Sequence, residues 1–165
     1  MLSRIHPVAG IIGLATILTF WLSTVATELT GSEHAVTTVK QTIPWALPIL
    51  VLALAVTGAS GFRLADHSAD PVILAKKRRM PIIAANGLLI LVPCAITLSI
   101  LARRDQFGAV FYCIQALELL VGATNIVLMS LNIRDGLQLT GHLSHRNKAA
   151  AHRPASMATN PRNEP

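Results

Sequence analysis

Four blocks of the chain are apolar for long enough to cross a bilayer, and apart from Arg63 and Glu118 the charged residues fall outside them. The blocks run over about 7–27, 43–64, 81–102 and 108–131. Each holds on the order of 20 residues, which at ~1.5 Å rise covers the ~30 Å hydrocarbon core as one helix. The pattern predicts an all-α, polytopic integral membrane protein, with a four-helix transmembrane bundle in residues 1–136. A basic tail, 137–165, is expected to be disordered towards its end, where Pro, Asn, Ser and Ala follow one another without periodicity. The first block resembles a secretory signal in its basic start. It exceeds the ~7–15 residue apolar stretch of such a signal, and no A-x-A site closes it, so it reads as a retained span.

Within each block, small and polar residues gather on one face. In the fourth span Gln115, Glu118, Gly122 and Asn125 fall within roughly 80° of one another on a helical projection. A carboxylate at membrane depth is costly and turns towards the bundle interior, so this stripe sets the rotation of the helix. The first span carries His6, Gly10, Gly13, Ile17, Phe20 and Thr24 on one stripe, and its glycines admit a close neighbour. Ala53, Thr57 and Gly61 repeat at four-residue spacing in the second span, again a face for tight helix contact. In the third, Asn86, Pro93 and Thr97 share a stripe within roughly 40°. Pro93 leaves the carbonyl of Leu89 without its helical donor, so this face is expected to point inward as well.

The connections differ in charge. Residues 28–42 read as a polar loop with Lys40 in it, after which Pro44 suits the first turn of the second span and Trp45 an interfacial depth. Residues 62–80 hold Arg63, Lys76, Lys77, Arg78 and Arg79 against Asp66 and Asp70. Asp70 and Pro71 resemble a helix start, and a short helix over 71–79 is expected to lie at the surface or feed into the third span. Arg103, Arg104 and Asp105 make a tight turn before the fourth. The excess of Lys and Arg in 62–80 and in the tail predicts that both termini are cytoplasmic, in the cell (inner or plasma) membrane.

Setting the spans at common depth places Asn86 and Asn125 roughly 8–9 Å inside the same boundary. The interior is then expected to hold a ladder: His6 at the mouth, Asn86 with Asn125, Glu118 near the midplane, and Gln115 with Thr97 beyond. No Lys or Arg falls deep enough in the predicted spans to pair with Glu118. The acid is therefore expected to be protonated or hydrogen-bonded to amides, the chemistry of a proton relay or of a ligand's hydrogen-bond partner.

Composition narrows the function classes. At 52% hydrophobic and 13% charged, the 165-residue chain has about half the charge of a soluble domain. Its net charge of +6 sits beside the spans, and with 4% aromatic residues there is no base-stacking surface, so nucleic acid is not an expected partner. Cys94 and Cys113 read as buried packing residues. Haem b needs histidines in two facing helices, whereas His6 stands alone near a span, with His67 or His142 as remote second ligands. His142, His145 and His152 lie in the tail and make a weak metal signal, and no P-loop, HExxH, GxSxG or Rossmann fingerprint occurs. The expected partners are the lipid bilayer and, beyond it, other membrane subunits or a second copy. The reading is an accessory or interaction subunit of a membrane complex, and no motif marks it as an enzyme. The alternatives are a module binding quinone, haem or lipid through Glu118, Asn86, Asn125, Gln115 and His6, or a small proton-coupled transporter.

Overall fold

The computed structural model describes residues 2–64 and 71–151. They form helices α1 (Leu2–Thr30), α2 (Glu33–Leu64), α3 (Pro71–Ala85), α4 (Val92–Arg103) and α5 (Ala109–Ala151). A π-helical turn, Asn86–Leu91, joins α3 to α4, so the two make one span. Four helical stretches among the described residues are long and apolar enough to cross a membrane: Ile5–Thr30, Glu33–Gly61, Arg78–Arg103 and Ala109–Gln138. They pack as a bundle in chain order. α1 lies against α2 and α5, and the α3–α4 span lies against α2 and α5. Large apolar side chains such as Ile11, Leu52, Leu89 and Leu120 face outward, as lipid contact requires. Hydroxyl groups within the spans bond back to their own helix: Thr16 Oγ1 donates to the Ile12 carbonyl at 2.8 Å and Thr124 Oγ1 to that of Leu120 at 2.9 Å.

The expected small-residue contact forms between α1 and α2. A Cβ added at Gly10 would stand 3.7 Å from Thr57 Cγ2, and one at Gly13 would stand 3.7 Å from Ala53 Cβ. The stripe expected on α1 is the inward one, with Gly10, Gly13, Ile17 and Thr24 all buried. Inside the bundle, Ile17, Leu50, Ile83, Leu91 and Met129 form one apolar cluster. Val36, Leu98, Ala102 and Phe111 form another, at the end of the bundle that carries the two short turns, here called the hairpin end.

Three expectations are corrected. Residues 28–42 are not a loop. α1 continues to Thr30, Gly31 takes the left-handed conformation (φ 64°) that ends a helix, and α2 begins at Glu33. Ser32 Oγ accepts the Ala35 N–H at 3.3 Å, a side-chain cap that starts α2 about ten residues before the apolar block does. Pro44 therefore lies inside α2, and Lys40 lies two turns into a helix.

The second correction concerns the third span. Asn86 is half-buried, but Pro93 and Thr97 face outward, and Leu91, Cys94, Ala95, Leu98 and Ser99 take the interior. The π turn is the cause. The Val92 N–H donates to the Gly87 carbonyl, five residues back, which inserts one extra residue ahead of Pro93. One inserted residue rotates everything after it by about 100°. The turn absorbs the hydrogen bond that proline removes, and the stripe is broken at that point.

Third, the last helix does not stop near residue 131. It runs unbroken to Ala151, so the first part of the expected tail is helical. The disorder expected beyond residue 153 lies outside the described residues, as do Asp66, His67, Asp70 and His152. α3 does begin at Pro71 and feeds straight into the span. The turn after α4 carries the C-terminal capping motif, with Asp105 at φ 52° and Gln106 N–H donating to Leu101 O at 3.0 Å.

Candidate functional site

The early start of α2 carries Lys40 into the bundle. Val36, Lys40, Ile43, Leu47 and Leu50 recur at three- and four-residue spacing and are all buried, so the lysine occupies a core position of the helix. Its side chain is 1% exposed, and its ammonium pairs with the carboxylate of Glu118 on α5, 13% exposed. Thr24 Oγ1 on α1 accepts a second, longer hydrogen bond from Lys40 Nζ at 3.4 Å. The pair lies 7 residues past Glu33 and 9 past Ala109, roughly 10–14 Å in from the hairpin end. The expectation that Glu118 has no cation within reach is thus overturned: it rested on placing Lys40 in a loop.

One turn nearer the hairpin end, Gln115 Nε2 donates to Glu28 Oε1. Gln115 is buried and its Oε1 has no hydrogen-bond partner among the described residues. The Gln115–Thr97 rung of the ladder does not form, because Thr97 faces outward.

Towards the other end, Asn86 Nδ2 donates to Asn125 Oδ1 at 3.1 Å, and Asn125 Nδ2 donates to the Ile83 carbonyl at 3.2 Å. This rung forms as the common depth of the two residues implied. His6 Nδ1 lies 3.1 Å from both the Thr57 carbonyl and Ser60 Oγ, a bond at the mouth of the bundle. Arg79 on α3 adds an ion pair to the buried Asp135 at 2.7 Å, with Arg134 beside it at 3.5 Å. So Glu118, Gln115, Asn125, Asn86 and His6 all turn inward, but in separate contacts and not as one column. Between Glu118 and Asn125 the inward residue of α5 is Gly122, and the Ile17, Leu50 and Leu91 side chains surround that level.

Beside the ion pair is a cavity to which all four spans contribute, among them Phe20, Trp21, Leu47, Ala95 and Gly122, with Glu118 and Thr24 on its wall. It measures about 40 Å³, against the roughly 10–15 Å³ that a single water needs. Trp21 is pinned at its edge: the indole N–H donates to the Leu119 carbonyl at 3.0 Å, and a Cβ at Gly122 would come within 3.2 Å of its ring. The small residue at 122 thus makes room for the tryptophan that shapes the cavity.

Cys94 is buried as expected, but Cys113 is exposed on the outer face of α5, and both thiols are free. Among the described residues no group of three or more His, Cys, Asp or Glu is arranged to hold a metal ion. The side chains of His142 and His145 lie outside the described residues, as does His67.

Lys40 is the site residue that sequence reasoning missed, and a signal for it existed. The stripe Ile43, Leu47, Leu50 extends backward through Pro44 to Lys40 and Val36, and Gly31–Ser32 is a helix stop followed by a cap. The chain is that of a small multi-pass membrane protein, and no protein family, curated protein or solved structure matches it.

Proposed function

We propose that this protein is a membrane-embedded binding module for a small ligand, with the Glu118 carboxylate as its polar anchor. One observation carries the reading: Glu118, one partner of a charged pair buried within the bundle, lies on the wall of a cavity to which all four spans contribute. An ionisable group inside the membrane is a functional-site hypothesis by default, and a mainly apolar cavity with a few convergent polar groups is the usual form of a ligand site. Asn86 with Asn125, and Gln115 with Glu28, hold the helices around it.

The accessory-subunit reading is supported by the absence of a catalytic motif, the small mass outside the spans and the apolar outer surface. Its small-residue faces support it less, since Gly10 and Gly13 are used against α2 inside the bundle. For the transporter reading, the apolar level around Gly122 separates the two polar regions, so a pathway would need helix movement. We further propose that both termini are cytoplasmic, since Arg63, Arg78, Arg79 and Arg134 gather at the end away from the hairpin turns.

Native mass spectrometry of gently solubilised protein tests the main reading. A retained small-molecule mass that is lost in Lys40→Met/Glu118→Met, which leaves no unpaired charge, supports binding. Release only as part of a larger assembly with an empty cavity favours the accessory reading and displaces ours.

A further inference from the structure

The side chain that fills Glu118 is itself an alkylammonium: four methylene groups ending in a primary ammonium. It reaches the carboxylate from α2 and touches Thr24 Oγ1 on the way. The cavity opens beside this contact, walled by aliphatic side chains and by Phe20 and Trp21. Such a wall suits an alkyl chain, and the two aromatic rings suit a cation near their faces. We propose that the cavity takes a small primary alkylammonium, which binds Glu118 in exchange for Lys40 Nζ. The inference rests on the binding-module reading and names its ligand class.

Exchange is chemically balanced. One ammonium replaces another at the same carboxylate, so no uncompensated charge is left on Glu118. The displaced lysine has a flexible stem and two acceptors one turn nearer the hairpin end. These are the Glu28 carboxylate and the unpartnered Gln115 Oε1, both adjoining the pair: Glu28 follows Thr24 by four residues on α1, and Gln115 precedes Glu118 by three on α5. Lys40 is then a tethered competitor, which sets the affinity for any ammonium from outside.

The test uses the full chain in detergent, with Trp45→Phe as background so that Trp21 reports alone. Trp45 is 85% exposed on the outer face, so this change leaves the cavity intact. The probes are n-butylammonium and its neutral counterpart 1-butanol, followed by Trp21 fluorescence. Saturable binding of n-butylammonium is expected, tightened about tenfold in Lys40→Met, which lacks the competitor and is prepared with the probe present so that an ammonium still meets Glu118. Because Glu118→Gln alone leaves a buried unpaired lysine and risks misfolding, the double variant Lys40→Met/Glu118→Met is the control. It keeps an apolar, well-packed site and is expected to lose n-butylammonium. Equal binding of 1-butanol, retained binding in the double variant, or no tightening in Lys40→Met would overturn the alkylammonium assignment while leaving a small-ligand cavity. If neither probe binds in any form, both readings fall.

Discussion

A lysine ammonium and a glutamate carboxylate each lose several kcal/mol of hydration on entering a bundle interior, and the Lys40–Glu118 contact offsets this only while both are present. Removing one partner should therefore cost far more than removing both. Glu118→Gln is expected to destabilise the protein by about 3–5 kcal/mol, and Lys40→Met/Glu118→Met by much less or not at all. Unfolding in one fixed detergent measures this, and equal losses in single and double variants would show that the charges do not depend on each other. The amide rung is weaker. Asn125→Ala takes partners from Asn86 and from the Ile83 carbonyl, yet helix–helix hydrogen bonds in membranes are modest, so about 1–2 kcal/mol is expected in the same assay.

Elements carry the rotations that decide which residues meet. In the third span the π turn takes up one extra residue, so deleting Leu88, an outward-facing residue within it, would restore an α-helical count and leave the phase of α4 as it is. Deleting Ile96, an outward-facing residue past the turn, removes a residue with no such slack and would turn the rest of α4 by about 100°. Leu98 and Ala102 would then leave the core. The Ile96 deletion is expected to abolish a cooperative unfolding transition that the Leu88 deletion retains. The α1–α2 contact makes a second element-scale prediction. Gly13→Ile has no space, since a Cβ alone would already stand 3.2 Å from Met129 Cε, and it should force the helices apart. Gly58, on the same helix pair, has open space around it, so Gly58→Ala should be neutral or gain up to ~1 kcal/mol from helix propensity. Thermal stability of the two variants side by side checks the contrast.

For the whole molecule, charge is divided between the ends. The end away from the hairpin turns carries Arg63, Arg78, Arg79 and Arg134. At the hairpin end, Lys40 is consumed inside the bundle, while Glu28, Glu33 and Asp105 offset Arg103 and Arg104. A reporter that fluoresces only in the cytoplasm, fused after residue 165, is expected to fluoresce. The same reporter inserted at Gly31–Ser32 is expected to stay dark. The reverse result would invert the topology and place the ion pair nearer the cytoplasmic face.

Read alone, the sequence determined the class of object and much of its wiring. Length and apolarity define the spans, because an apolar segment alone in a bilayer pairs its backbone groups internally only as a helix. Helical phase turned Gln115, Glu118 and Asn125 inward, and common depth paired Asn86 with Asn125, because both depend only on rise and turn per residue. Those rules fail where a residue is added to the helix or where a helix outruns its apolar block. The π turn moved Pro93 and Thr97 outward, and the cap at Ser32 lengthened α2 until a lysine read as a loop residue reached the interior. Only the packing of α1, α2 and α5 decided that Lys40, Thr24 and Glu118 meet, and only the packing of all four spans that a cavity lies beside them. A contact between residues 78 positions apart depends on which helices are neighbours, and no local pattern encodes that.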